Sequence, residues 1–333
     1  MSVAEAPVAL VWNKGIARLC DRRIPDEFPD GLAYRHASTL AGGWIKPKLP
    51  TDLISDPARH ADIREGEIVW VRLAWLPAFV HQVLPLIRAR FVLATGDSDS
   101  SVPSEVPAEL ARTILASPKV MRWFTQNHDG GAPERIAPLP IGIDFHSVSE
   151  HPMWSEAVAS PSEQESVLTA ILADLAPRER RDPRLYIDFA WHGRRQGYRV
   201  LAPARLKESR RAVVKRLRRR DVVVCQETSL PRSEVWRRRG AYAAALSLHG
   251  GGLDSHRTWE ALALGHLVVV PTSPLDPLFD GLPVVPVSSW GEITAPNLAR
   301  WLLEAADHTY ASERLTSRYW VERMRAVAGC AGA

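Results

Sequence analysis

Short apolar runs of strand length alternate with helix-like stretches along most of this chain, and that alternation constrains its fold most. In the first half the runs are "VALVW" (8–12), "IVWVRL" (68–73), "FVLAT" (91–95) and "VMRWFTQ" (120–126). Each is rich in β-branched or aromatic residues and has turn signals beyond it. The intervening "LPAFVHQVLPLIRA" and "VPAELARTILAS" read as helices. Over 146–183 the pattern breaks into Pro, Ser and acidic residues around one helix-like stretch, "SEQESVLTAILADL". It then restarts with "RLYIDFAWHG" (184–193), a very basic helix near 204–219, "VVVC" (222–225), "AAALSLHG" (243–250), "LVVVPTS" (267–273) and "LPVVPV" (282–287). A chain written this way builds parallel sheets covered by helices. The expected fold class is α/β, in two halves. Residues 1–150 form the first, 151–183 the connection, and 184–333 the second.

Composition excludes several classes. A chain of 333 residues, 46% hydrophobic and 24% charged, is ordinary for globular domains. No stretch approaches the roughly 20 apolar residues of a membrane-spanning helix, and "MSVAEAPVALVWNKG" lacks a signal peptide's basic start and apolar run. Cys20, Cys225 and Cys330 are far apart and in no zinc spacing, so a reducing cytoplasm without a disulfide framework is expected. The formal charge is only +4, but residues 178–239 carry 20 Lys/Arg against 7 Asp/Glu. That segment is either a set of solvated helix faces or a patch for an anionic surface, such as the inner face of a membrane. No nucleic-acid-binding pattern accompanies it, so nucleic acid is not an expected partner.

The most distinctive stretch is "LHGGGLDSHRTWEALALG" (248–265). An apolar strand precedes it, Asp254 or Ser255 can cap the helix that follows, and Gly265 stands just after that helix. His-Gly-Gly-Gly serves the oxyanion hole of some esterases, but the chain has no Gly-x-Ser-x-Gly nucleophile elbow, and there the motif precedes the nucleophile. The alternative is a phosphate-binding loop at a helix N-terminus. Arg257 favours this: an arginine in a helix's first turn opposes the macrodipole unless an anion sits beside it. Its competing role is a pairing with Asp254 or Glu260 and no ligand. Trp259, Leu262 and Ala263 fall on another face and read as core.

The segment "YAAALSLHGGGLDSHRTWEALALGHLVVVPTSPLDPLFDGLPVVPVSSWGEI" resembles the C-terminal signature of exostosin-like GT-B glycosyltransferases, through Ser255, Arg257, Glu260, Gly265 and the "VVVP" strand. The resemblance covers about 50 residues of the chain, and "IAPLPIGIDFH" matches only loosely, as a strand and turn leading out of the first domain; His266 and Leu267 depart from the family's usual small residue and proline. It implies two Rossmann-like domains facing a cleft, and inverting transfer of a sugar from a nucleoside-diphosphate-sugar donor, bound by the second domain, to a glycan, lipid-linked or other hydroxyl acceptor presented by the first. No cofactor is expected beyond the donor, which is a substrate. The expected substrate-binding residues are His249, Gly250, Gly251, Gly252, Asp254, Ser255, His256, Arg257 and Glu260, with His192, Arg194 and Arg199 from the loop "WHGRRQGYR".

Preorganised donors and Arg257 can stabilise a departing diphosphate without a metal. The reaction also needs a base for the acceptor hydroxyl, expected at the C-terminal end of a first-domain strand. The loops "TGDSDSSVP" and "TQNHDGG" supply Asp97, Asp99, His128 and Asp129 as candidates. Asp97-x-Asp99 also suits a metal-dependent GT-A transferase, and a catalytically silent nucleotide sensor or scaffold is a further alternative. A cytoplasmic location is expected, with peripheral contact at the inner membrane face through residues 178–239.

Overall fold

A computed structural model describes residues 8–24, 54, 56–150, 152–188 and 209–330. It contains two five-stranded parallel sheets, the α/β class expected. The first consists of β1 (Arg22–Ile24), β2 (Ile68–Arg72), β3 (Phe91–Gly96), β4 (Val120–Thr125) and β5 (Ile136–Pro138), paired in chain order. The second consists of β6 (Asp182–Ile187), β7 (Val223–Cys225), β8 (Tyr242–Leu246), β9 (Leu267–Pro271) and β10 (Val284–Val287), in the order β10-β9-β8-β6-β7. The two sheets are separate.

The strands of the first sheet divide their side chains between two cores, as a period of two requires. Val69, Val71, Leu93, Trp123 and Ile136 pack with Phe79, Val83, Leu110 and Ile114 of the connecting segments. Ile68, Trp70, Val92, Ala94, Phe124 and Ala137 face the other way. A sheet that grows in one direction through like-handed crossovers places its connections on one face, so its second face needs cover from elsewhere. The helices Asn13–Leu19 and Ser317–Cys330 lie against each other there, and the latter also contacts β3 and β4. The chain's last helix thus returns to the first sheet.

Two local expectations are corrected. Residues 8–12 form no sheet strand: Leu10 and Trp12 make only isolated bridges, to Thr316 and Gly142, before a helix starts at Asn13. Gly142 (φ +67°) lies so close that an added Cβ would stand 2.3 Å from the Val11 carbonyl oxygen, so the bridge requires glycine. The stretch 76–89 is not a regular helix; three α-helical residues widen into a π turn over Phe79–Val83, and Pro85 follows. β5 falls on the strand read in "IAPLPIGIDFH", whereas β1, Arg-Arg-Ile, carries a single apolar residue and does not stand out as the longer runs do. The segment 146–183 holds the helices His146–Glu150 and Pro161–Asp174, the latter closed by a Ser160–Glu163 capping box.

Candidate functional site

Among the described residues, only the second sheet has a strand-order reversal. From β6 the chain moves to β7 on one side, then returns to place β8 on the other. In open parallel sheets, ligands occupy the crevice beyond the carboxyl ends of strands at such a point. Two segments emerge there: β6 runs into Asp188, and β8 runs into Ser247-Leu248-His249 and the three glycines. The helix after them spans His256–Ala263, with Ser255 at its N-cap. Thr258 ties its first turn to β8 by donating to Ser247 Oγ (2.8 Å).

The glycine loop is shaped from inside. His249 is buried, and its Nδ1 meets the Leu253 carbonyl at 2.6 Å; burial lowers its pKa and keeps the ring neutral. Arg210, first residue of the helix Arg210–Leu217, donates to the His249 carbonyl at 3.1 Å. Asp254 accepts from the backbone N–H of Ile141 (2.8 Å) and Ser255 (2.8 Å) and from Trp259 Nε1. Burial pushes this carboxyl up to about 6, against the pull of those donors. Its own N–H donates to Asn127 Oδ1 (2.9 Å) on the first half. Another contact between the halves joins His256 Nδ1 to the Gly142 carbonyl (2.7 Å).

Behind the loop runs a chain of alternating charges. Glu260 lies between Arg232 (3.2 Å) and Arg239 (3.5 Å), and Asp188 lies between Arg239 (2.5 Å) and Arg257 (3.8 Å). Burial opposes ionisation of Glu260, yet Arg232, Arg239 and Arg257 hold its pKa below the usual value. Burial likewise opposes the charge on Arg239, but Asp188 and Glu260 outweigh it and raise its pKa. Of the three arginines, only Arg257 is substantially exposed, its side chain at 34% against 7% and 2% for the others. The chain therefore ends in a positive charge at the mouth of the loop.

Beside it, Asp144 accepts from His146 Nδ1 (2.9 Å), from Ser147 N–H and from Ser147 Oγ. Burial would raise the Asp144 pKa, but His146 and His256, the His146 hydrogen bond and Arg232 hold it well below the carboxylate range. The His146 and His256 rings are 5.8 Å apart. Burial lowers the His256 pKa more than Asp144 raises it. A carboxylate that holds one imidazole nitrogen leaves the other to exchange protons.

The structure brings His249, Gly250, Gly251, Gly252, Asp254, Ser255, His256, Arg257 and Glu260 together as one loop and helix start. His192, Arg194 and Arg199 lie outside the described residues. Glu260 is engaged by two buried arginines rather than open to a ribose. Asp97 is paired with Arg72 (2.8 Å) and stands 3.9 Å from Lys14. Asp99 is exposed and lies against Gly251. His128 is buried with its Nε2 at the Gly131 carbonyl (2.8 Å), and Asp129 accepts from the Ser104 and Gly131 N–H groups, so both shape their own loop. Sequence reasoning missed Asp144, His146, Asp188, Arg210, Arg232 and Arg239. "IGIDFH" and the strand end "YID" are legible as elements, but nothing in their spacing marks the acids and histidine as site residues.

The basic segment is less of a surface than its charge count suggests. Arg178, Arg181 and Arg220 donate to backbone carbonyls of neighbouring elements, and Arg232 and Arg239 are buried. Arg211, Lys215, Arg218 and Arg219 do form an exposed basic stripe on and just after the helix Arg210–Leu217. Among the described residues, no helix is long and apolar enough to cross a membrane, and no group of three or more His, Cys, Asp or Glu is placed to hold a metal ion.

No protein-family model and no curated protein matches the chain. Among solved structures, a UDP-forming α,α-trehalose-phosphate synthase from Burkholderia vietnamiensis is similar at 12% identity, covering 83% of this chain and 76% of that one, with a TM-score of 0.36. An E. coli trehalose-6-phosphate structure with bound UDP-2-fluoro glucose is similar at 9% identity, covering 82% and 75%, with a TM-score of 0.35. The enzyme from Burkholderia xenovorans in complex with glucose-6-phosphate gives 13%, 81%, 73% and 0.32. No residue role or activity of this chain follows from a likeness of this size.

Proposed function

We propose that the protein is a glycosyltransferase that moves a sugar from a nucleoside-diphosphate donor to a hydroxyl acceptor. The observation that carries this reading is Arg257, a partly exposed cation in the first turn of the helix that leaves the glycine loop, at the strand-order reversal of the second sheet. A diphosphate there would meet the loop's backbone N–H groups, the helix N-terminus and Arg257 together. Asp188 at 3.8 Å sets the arginine's position without neutralising it at hydrogen-bond distance. A fixed cation and oriented backbone donors suit the charge that develops on a departing diphosphate.

For the acceptor's proton, His146 held by Asp144 is better placed than Asp97 or His128, whose polar atoms are engaged within the first half. The exostosin-like assignment, inversion and metal independence belong to the same proposal. So do a glycan or lipid-linked acceptor, and a cytoplasmic protein held at a membrane surface by the basic stripe. The alternative that uses Asp97 and Asp99 for a metal requires Asp97 to leave Arg72.

The experiment is isothermal titration with UDP-, GDP- and ADP-sugars, followed by donor hydrolysis with and without EDTA. Binding of one nucleotide class with EDTA-resistant turnover is expected. Turnover lost in EDTA and restored by Mn²⁺ would transfer the chemistry to Asp97 and Asp99, and binding without turnover would leave a sensor.

A further inference from the structure

The loop that leaves β3 reaches the glycine loop of the second half, and it is fixed on both sides of the contact. Asp97 pairs with Arg72 at 2.8 Å, and its N–H donates to Gln126 Oε1 at 2.8 Å. The Ser101 N–H donates to Glu105 at 2.8 Å. Asn127, fully buried, ties the two loops together: its Nδ2 donates to the Ser98 carbonyl (2.8 Å), and its Oδ1 accepts from the Asp254 N–H (2.9 Å). Asp99 lies between these anchors with its carboxylate against Gly251. A Cβ on that glycine would stand 2.6 Å from Asp99 Cγ, so the approach uses the missing side chain.

The acid is brought there without being bound. Among the described residues Asp99 takes part in no hydrogen bond or ion pair, and the N–H groups of Gly250, Gly251, Gly252 and Leu253 donate to no acceptor. Asp99 and Gly251 are both exposed, so this face of the loop is open to solvent. An unpaired negative charge thus stands beside open backbone donors and within the same loop-and-helix start as Arg257.

We propose that Asp99 sets which anions the glycine loop retains: its carboxylate repels negative charge there, so a nucleoside-diphosphate sugar is held in preference to the free nucleoside diphosphate. The inference rests on the glycosyltransferase reading, in which this loop takes the diphosphate. A terminal phosphate esterified to a sugar carries one negative charge. Once released it carries a second, because that ionisation lies near about pH 6. Each added unit of like charge at about 4–5 Å in a solvated cleft weakens binding by roughly fivefold. The carboxylate that costs the donor a little therefore costs the departing diphosphate more, which favours clearance of the site after transfer.

The probes are UDP, GDP and ADP, each with and without a glucosyl group, titrated in EDTA at about pH 8 into the full chain, Asp99→Asn and Arg257→Ala. Asp99→Asn keeps the shape of the side chain and removes its charge, and the urea midpoint checks that it folds. It should bind the free diphosphate of the preferred base about fivefold more tightly than the wild type does, with at most half that gain for the glucosyl form. Equal gains for the two forms would overturn the discrimination. Unchanged or weaker binding in Asp99→Asn would overturn the repulsion itself, the weaker result making the carboxylate a partner of the ligand. If Arg257→Ala weakens binding while Asp99→Asn does not strengthen it, the inference fails and the glycosyltransferase reading stands. If no nucleotide binds either the wild type or Asp99→Asn, both fail.

Discussion

Arg239 is 2% exposed and lies between two carboxylates, Asp188 and Glu260, 51 and 21 residues away in the chain. Replacing it by methionine keeps the volume but leaves two buried acids facing one another. The expected cost is about 3–5 kcal/mol, as for other buried pairs broken on one side, read from the urea unfolding midpoint; a loss under about 1 kcal/mol would show that water reaches the network. Asp254 makes a pH-dependent prediction. Its carboxyl is raised from 3.8 to about 6 in the fold, so the folded state binds the proton more tightly than the unfolded chain. The resulting stability is fully present below about pH 4 and is lost as pH rises to about 6, on the order of 3 kcal/mol. Asn cannot ionise, so Asp254→Asn should lose less stability than the wild type over that interval; parallel stability curves would refute the assignment. Asp144, held low, behaves oppositely, its contribution disappearing only as pH falls below its ordinary value. That Arg257 and Glu260 share one helix start was legible from their spacing, but the pairing of Glu260 with Arg232 and Arg239 was not. Asp188, Arg232 and Arg239 were not, because long-range ion pairing leaves no periodic trace in a single sequence.

The glycine loop is the element on which the two halves meet. A Cβ on Gly251 would lie 2.1 Å from Asp99 Oδ2, the end of an exposed side chain that can swing aside. A Cβ on Gly252 would lie 2.6 Å from Asn127 Nδ2. Asn127 is fully buried, and its amide both donates to the Ser98 carbonyl and accepts from the Asp254 N–H. Gly252→Ala should therefore cost about 1–3 kcal/mol, as overpacking does, while Gly251→Ala costs much less. Thermal unfolding of the two variants decides it, and the reverse order would mean the halves do not meet as described. At this scale the sequence was informative: β2, β3, β4, β8 and β9 and the helix His256–Ala263 fall on the expected runs. Residues 8–12 were misread because a β-branched apolar run also suits an extended segment that pairs with Thr316 and Gly142 instead of joining a sheet.

For the whole molecule, the decisive feature is the difference between the two sheets. The first grows in one direction and is closed by the returning helix Ser317–Cys330, whose Trp320 meets Trp259 edge-on at 6.4 Å. The second reverses and so opens a crevice beyond β6 and β8. Alternating strands and helices foretold two α/β halves. Neither the strand order nor the return of the last helix could be read, since both depend on which runs pair in space. The account's central claim is that the crevice receives a nucleoside diphosphate through Arg257. The most direct measurement is the Kd of UDP, GDP and ADP for the wild type and for Arg257→Ala, with circular dichroism and the unfolding midpoint measured alongside. Arg257 is partly exposed, and in a first turn its charge opposes the helix dipole, so its loss should leave the fold intact and cost far less stability than loss of the buried Arg239. Losing its charge-assisted bond to the diphosphate should cost about 1.5–3 kcal/mol, a weakening of roughly tenfold or more. An intact variant that binds the nucleotide as tightly as the wild type would contradict the claim and remove the glycine loop from the phosphate site.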